Sequence, residues 1–135
     1  MAKTYGEASD KLTAAAMALE SSSQPSWPER VRSLTKKEAM RARFEAAELQ
    51  VMAHQQSAMN DFAHFLNTRS EDVLRRGITS LEQACVCLEV AKSRALEAGI
   101  PEKNWYFGNI NGWLSKEFKK KIENYRMFLK DEEGP

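Results

Sequence analysis

The stretch from Thr35 to Leu66, TKKEAMRARFEAAELQVMAHQQSAMNDFAHFL, contains neither glycine nor proline. Met40, Phe44, Ala47, Val51, Ala58, Phe62 and Phe65 recur within it at steps of three, four or their sum, drawing one apolar stripe along a helix. At 1.5 Å of rise per residue that helix would span about 48 Å. A helix of this length cannot bury its stripe alone, so other segments must cover it. Thr35 followed by Glu38 reads as a capping box at its start.

The covering segments are visible on either side. Thr4 and Glu7 form a second capping-box pattern, and Tyr5, Ala8, Leu12, Ala15 and Leu19 step along an alanine-rich first helix. The run Ser21-Ser22-Ser23-Gln24-Pro25-Ser26-Trp27-Pro28 breaks it, with Pro28 suited to a first helical turn. A lead-in from Glu29 to Leu34 feeds the long helix, with a kink expected near Ser33. Ser70 with Glu71 and Asp72 behind it opens a third helix, acids opposing the positive dipole end. Leu74, Ile78, Leu81, Cys85, Leu88 and Ala95 form its stripe. Gly77 interrupts that helix at about 1 kcal/mol relative to Ala, which suggests a close helix contact. Gly99-Ile100-Pro101 is a stop. After the irregular PEKNWYFGNINGW, a last stripe runs through Leu114, Phe118, Ile122, Tyr125 and Leu129. No strand pattern, repeat or linker interrupts this series. The sequence predicts an all-α fold: an antiparallel bundle of about four helices, near 6–20, 29–67, 70–98 and 109–130, in a single domain spanning 1–135.

Composition narrows the setting. With 42% hydrophobic and 29% charged residues and a formal net charge of +1, the chain has an ordinary soluble balance. No apolar run approaches the roughly 18 residues that span a bilayer. The start, MAKTYGEASDKL, lacks a continuous apolar segment and carries acids, so neither a secretory signal nor a membrane partner is expected and a cytoplasmic location follows by default.

Residues suited to catalysis do not assemble. Cys85 and Cys87 stand about 200° apart on a helix, poorly placed to bridge each other or hold one metal, and the packing role of a small hydrophobe is preferred. A carboxylate-bridged di-metal bundle needs Glu-x-x-His on two helices, whereas only Asp61-x-x-His64 is present and His54 has no such companion. Neither a G-x-S-x-G elbow, a P-loop nor a dinucleotide fingerprint occurs. The reading is of a non-enzyme with no cofactor and no metal.

Two features point toward binding. Residues 28–43 set six cations (Arg30, Arg32, Lys36, Lys37, Arg41 and Arg43) against Glu29 and Glu38. Residues 100–130 set seven cations, including Lys116, Lys119, Lys120 and Lys121, against three acids, while residues 44–72 hold one cation against five acids. In an up-down bundle the lysines from 116 onward fall toward one end, near Arg69, Arg75 and Arg76. The same arrangement places Trp27 beside Trp105, Tyr106, Phe107 and Trp113 at the other end. These aromatics either cap the core or anchor a partner. The basic zones either remain a solvated face or contact phosphates. The leading expectation is a small interaction protein that binds a protein partner or itself, supported by apolar residues beyond the main stripe at Leu49, Met52 and Met59. The alternative is a bundle gripping the backbone of nucleic acid, such as a small subunit of a ribonucleoprotein assembly, through the arginine- and lysine-rich zones.

Overall fold

A computed structural model describes residues 2–105 and 113–133. Four α-helices run through them: α1 (Ala2–Ser22), α2 (Glu29–Thr68), α3 (Glu71–Ala98) and α4 (Trp113–Glu133), with a short 3-10 turn at Glu102–Asn104. Adjacent helices pack antiparallel, α1 on α2, α2 on α3 and α3 on α4, giving an all-α bundle.

The α2–α3 hairpin is its spine. On α2 the buried Phe44, Val51, Ala58 and Phe65 stand seven residues apart, and on α3 so do Leu74, Leu81, Leu88 and Ala95. A sevenfold repeat on both helices keeps one seam facing the other along their shared length, as in a coiled coil. The hairpin turns at Arg69, the one non-glycine residue with positive φ among those described. Its φ of 57° costs roughly 1–2 kcal/mol for an L-residue. Its N–H donates to the Phe65 carbonyl at 2.7 Å, and its guanidinium lies 5.6 Å from the Phe65 ring centroid, both of which offset that strain. At the other end of α3, Gly99 adopts φ 68° and donates to Leu96, while the Ile100 N–H returns to Ala95 at 2.9 Å. This is a Schellman cap, and Ile100 packs in the same apolar cluster as Ala95.

α1 and α4 cover different stretches of this spine. Ala16 of α1 is fully buried against Ala39 and Ala42, and the buried Ser9 hydroxyl donates to the Ala46 carbonyl at 2.8 Å. Small side chains at this seam let the two helices approach closely. α4 lies along the other half, its Phe118 fully buried. Its Tyr125 ring stacks on Phe62 of α2 at 4.6 Å and 7°, and Phe128 meets Phe65 edge-on at 6.1 Å. The bundle is therefore staggered, with α1 toward the N-terminal half of α2 and α4 toward its C-terminal half.

Three local expectations are corrected. α2 is one continuous helix of 40 residues from Glu29, close to the expected 29–67, but the Thr35 hydroxyl donates back to the Val31 carbonyl at 2.8 Å. Thr35 thus satisfies itself on the preceding turn and caps nothing. α1 begins at Ala2, so Thr4 and Glu7 lie within helix rather than at its cap. Pro28 is the residue before the first turn of α2, with an extended ψ of 143°, and its carbonyl accepts from Val31 and Arg32. The expected start of the fourth helix near 109 falls within residues 106–112, which lie outside the described residues; from Trp113 onward the chain is helical as expected.

Candidate interaction surface

Because α3 ends beside Phe44, the first turns of α2 extend past it. From Glu29 to Glu38 none of these residues is buried, although α1 lies alongside. Val31 remains 41% exposed and Leu34 53% exposed on this arm. An isolated helix of about ten residues is marginal in water. The arm is held by continuity with the buried remainder of α2 and by the alanine seam to α1. Glu20 of α1 also accepts two hydrogen bonds from Arg43 at 2.7 and 3.0 Å. The Arg43 guanidinium holds the Glu20 carboxyl below its ordinary pKa, and Glu20 in turn raises that of Arg43.

The cations on the arm differ in their engagements. Arg43 is committed to Glu20, and Arg32 donates through Nε to the Trp27 carbonyl at 3.2 Å. Arg30, Lys36, Lys37 and Arg41 are exposed and make no ion pair or hydrogen bond to a side chain among the described residues. Arg30, Leu34, Lys37 and Arg41 share one face of α2, at steps of four, three and four, and Glu45 and Met52 continue it. Beside this line opens a groove of about 490 Å³, lined by Leu12 of α1, Glu45, Glu48, Leu49 and Met52 of α2, and Asn104. An apolar floor of Leu12, Leu49 and Met52 with an acidic wall therefore adjoins a basic arm.

The aromatic residues do not gather into one patch. Trp105 is half-buried, its ring centroid 6.5 Å from that of Phe44, and its Nε1–H donates to the Ile100 carbonyl at 2.9 Å. With its polar tip satisfied internally, Trp105 closes the core where α3 ends. Trp27 is half-buried at the root of the arm, two residues before α2 begins, while Phe44 lies about 22 Å further along the helix by its rise. The expected meeting of Trp27 with Trp105 does not occur, because α2 is much longer than the helices covering it. Tyr106 and Phe107 lie outside the described residues, as does the side chain of Trp113.

The second basic zone is also displaced from its expected position. Tyr125 of α4 reaches Gly77, and Lys119 is close enough to act electrostatically on Cys85. Lys116, Lys119 and Lys120 are exposed and Lys121 is half-exposed, beside the middle of α3 rather than at the Arg69 turn. The two basic zones occupy different parts of the molecule.

Groups suited to chemistry stay dispersed. Burial pushes the pKa of His54 down, and those of the Cys85 thiol, the Cys87 thiol and the Tyr125 phenol up. Both cysteines are free and half-buried against the core. Among the described residues no three His, Cys, Asp or Glu side chains come together as a metal site. A polar groove of about 650 Å³ between α2 and α3 holds Asp61, Asp72, Arg75 and Arg76, with Arg76 3.6 Å from Asp61. No helix among the described residues is long and apolar enough to cross a membrane.

Periodicity about the core alone did not distinguish Val31, Leu34 and Glu45 as members of a surface. Their signal is a second line of three- and four-residue steps on α2, angularly offset from the buried one. In comparison with known proteins, no family model, no curated protein and no solved structure matches this chain.

Proposed function

We propose that this chain is a non-catalytic interaction protein, its docking surface the exposed arm of α2 beyond the end of α3 and the adjoining groove against α1. The observation that carries this reading is the exposure of Val31 and Leu34 on a helix whose neighbouring α3 ends short of them. Water contact with these aliphatic side chains is unfavourable by roughly 25 cal/mol for each Å² exposed, and a partner removes that cost. Trp27, half-buried at the root of the arm, adds an aromatic anchor of the kind enriched at interfaces. A photoreactive side chain at Lys37, in the protein expressed in its native host, tests the reading. Discrete cross-linked adducts are expected at Lys37 and not with the same group at Arg126 on α4. Absence of discrete adducts at Lys37 refutes it.

A second reading is supported by the cations Arg30, Lys36, Lys37 and Arg41, which have no acidic partner among the described residues. Here the arm contacts phosphates of nucleic acid, with Lys116, Lys119, Lys120 and Lys121 as a separate contact zone. Binding to labelled single- and double-stranded nucleic acid, titrated at two salt concentrations, tests it. Phosphate contact predicts affinity that falls steeply with salt, and absence of binding at low salt removes this reading.

A further inference from the structure

α2 carries apolar rows on two opposite sides. One is the seam against α3, through Phe44, Val51, Ala58 and Phe65. The other steps by four and three through Val31, Thr35, Ala39, Ala42, Ala46, Leu49 and Ala53, and holds no charged residue. α1 covers this second row: Ala16 meets Ala39 and Ala42, and the Ser9 hydroxyl donates to the Ala46 carbonyl. Arg32, Lys36 and Arg43 border the row on one side, and Glu38, Arg41 and Glu45 border it on the other. Val31 is its exposed end.

The cover is lightly held. Among the described residues α1 packs extensively on α2 alone, and its apolar cluster shares no member with the two that hold the rest of the bundle. Of its described side chains only Ser9 and Ala16 are buried, with Leu12 and Leu19 half-buried. Lifting α1 leaves the core between α2, α3 and α4 intact, so it costs less than global unfolding. The paired hydrogen bonds from Arg43 to Glu20 are the charged tie that holds it down.

We propose that α1 is a releasable strap, and that the partner is a helix of another protein that takes its place on the second row of α2. This deepens the interaction reading and rests on it. With α1 lifted, Ala39, Ala42, Ala46 and Leu49 are bared in line with Val31, and the groove that Leu12 lines is open along its α2 side. The full row from Val31 to Ala53 is about 33 Å long. Its alanines admit small side chains, as Ala16 and Ser9 now are, and Arg43 takes a carboxylate, as Glu20 supplies. The α1 of a second copy brings only these same contacts. It loses to the tethered α1, which residues 23–28 hold at an effective concentration in roughly the millimolar range. A partner helix therefore needs contacts that α1 lacks, and the exposed Val31 and Leu34 offer them.

Hydrogen exchange and a peptide probe test this on the full chain. Amides from Ala8 to Leu19 should exchange ahead of those in the α2–α3 seam. Glu20→Arg sets like charge against Arg43 and the nearby Arg94, and should speed exchange in α1 on the order of tenfold. Adding Arg43→Glu to that variant should slow it again. The probe is a fluorescent synthetic peptide of residues 2–22, which keeps its own Glu20 for Arg43. It is expected to bind the Glu20→Arg chain on the order of tenfold more tightly than the parent, in proportion to the open population. The same peptide carrying Glu20→Arg should show no such gain. Circular dichroism of each variant should retain the parent helix signal, separating release of α1 from loss of the fold. Exchange of α1 in step with α3 and α4 overturns the strap, as does a rate indifferent to Glu20→Arg. Absence of peptide binding to the Glu20→Arg chain at about 1 mM, the range of the tether's effective concentration, overturns the replacement. Adducts at Lys37 beside an α1 that stays closed overturn the strap while sustaining the interaction reading. Adducts that prove to be a second copy of this chain overturn the choice of partner. A strap that opens without any adduct at Lys37 ends the interaction reading, and the replacement with it.

Discussion

Replacing Gly77 tests how α2, α3 and α4 meet. A Cβ at this position would stand 3.4 Å from the Asp61 Cβ, 3.6 Å from the Ala58 carbonyl oxygen and 3.7 Å from the Tyr125 Cε2. These are ordinary van der Waals distances, so one methyl fits without displacing its neighbours. Gly within a helix costs about 1 kcal/mol relative to Ala, chiefly through backbone entropy, and Gly77→Ala should recover most of it. For a chain of this length the gain corresponds to roughly 3–5 °C in Tm. Gly77→Leu should act in the opposite direction. Its branch must extend beyond the Cβ into a site enclosed by Asp61, the Ala58 carbonyl and the Tyr125 ring, and overpacking of this kind costs about 1–3 kcal/mol. Urea unfolding followed by far-ultraviolet circular dichroism measures both, with similar m-values required for comparison. A Gly77→Ala variant less stable than the parent by more than about 0.5 kcal/mol would refute the packing argument, because its surroundings would then lack the room that a methyl needs.

Other substitutions examine the remaining contacts. Phe65→Ala removes a fully buried ring that meets Phe62, Phe128 and the Arg69 guanidinium, and should cost about 3–5 kcal/mol in urea unfolding. Ala16→Leu inserts a branched side chain into the α1–α2 alanine seam and should cost about 1–3 kcal/mol. Hydrogen exchange in that variant should accelerate first in α1, while the α2–α3 seam retains protection. Ser9→Ala deletes the hydroxyl bonded to Ala46 and should cost about 0.5–1.5 kcal/mol by the same unfolding measurement. Burial lowers the His54 pKa, so the unfolded chain takes up its proton first as pH falls. Stability should decline as pH drops below the unfolded value of about 6.5 toward the lower folded value, and His54→Gln should flatten that decline in pH-dependent urea titrations.

The helices and most of their ends were legible in local sequence. The Ser21–Pro28 run separates α1 from α2, and Gly99-Ile100-Pro101 forms the stop its residues indicate, because a left-handed glycine and a following proline have few alternatives. Three- and four-residue steps also identified Phe44, Val51, Phe65, Leu74, Leu81 and Leu88, all of which are buried. Thr35 was misleading because a threonine followed by an acid at i+3 is compatible with a cap or with a hydroxyl bonded to the turn before it. Local sequence alone does not separate those two states.

Taken alone, the sequence determined four amphipathic segments, their sense of turning and the side of each that seeks cover, since these follow from backbone chemistry and helical period. Tertiary structure decided how far each helix slides along its neighbour. With 21 residues in α1, 40 in α2 and 28 in α3, equal cover along α2 is geometrically impossible. Packing resolves the mismatch by placing α1 and α4 on different halves of the hairpin, which separates Trp27 from Trp105 and leaves Val31 and Leu34 in water. Periodicity specifies which face of a helix is apolar; axial register depends on side chains from distant segments fitting together, and only the assembled core sets that.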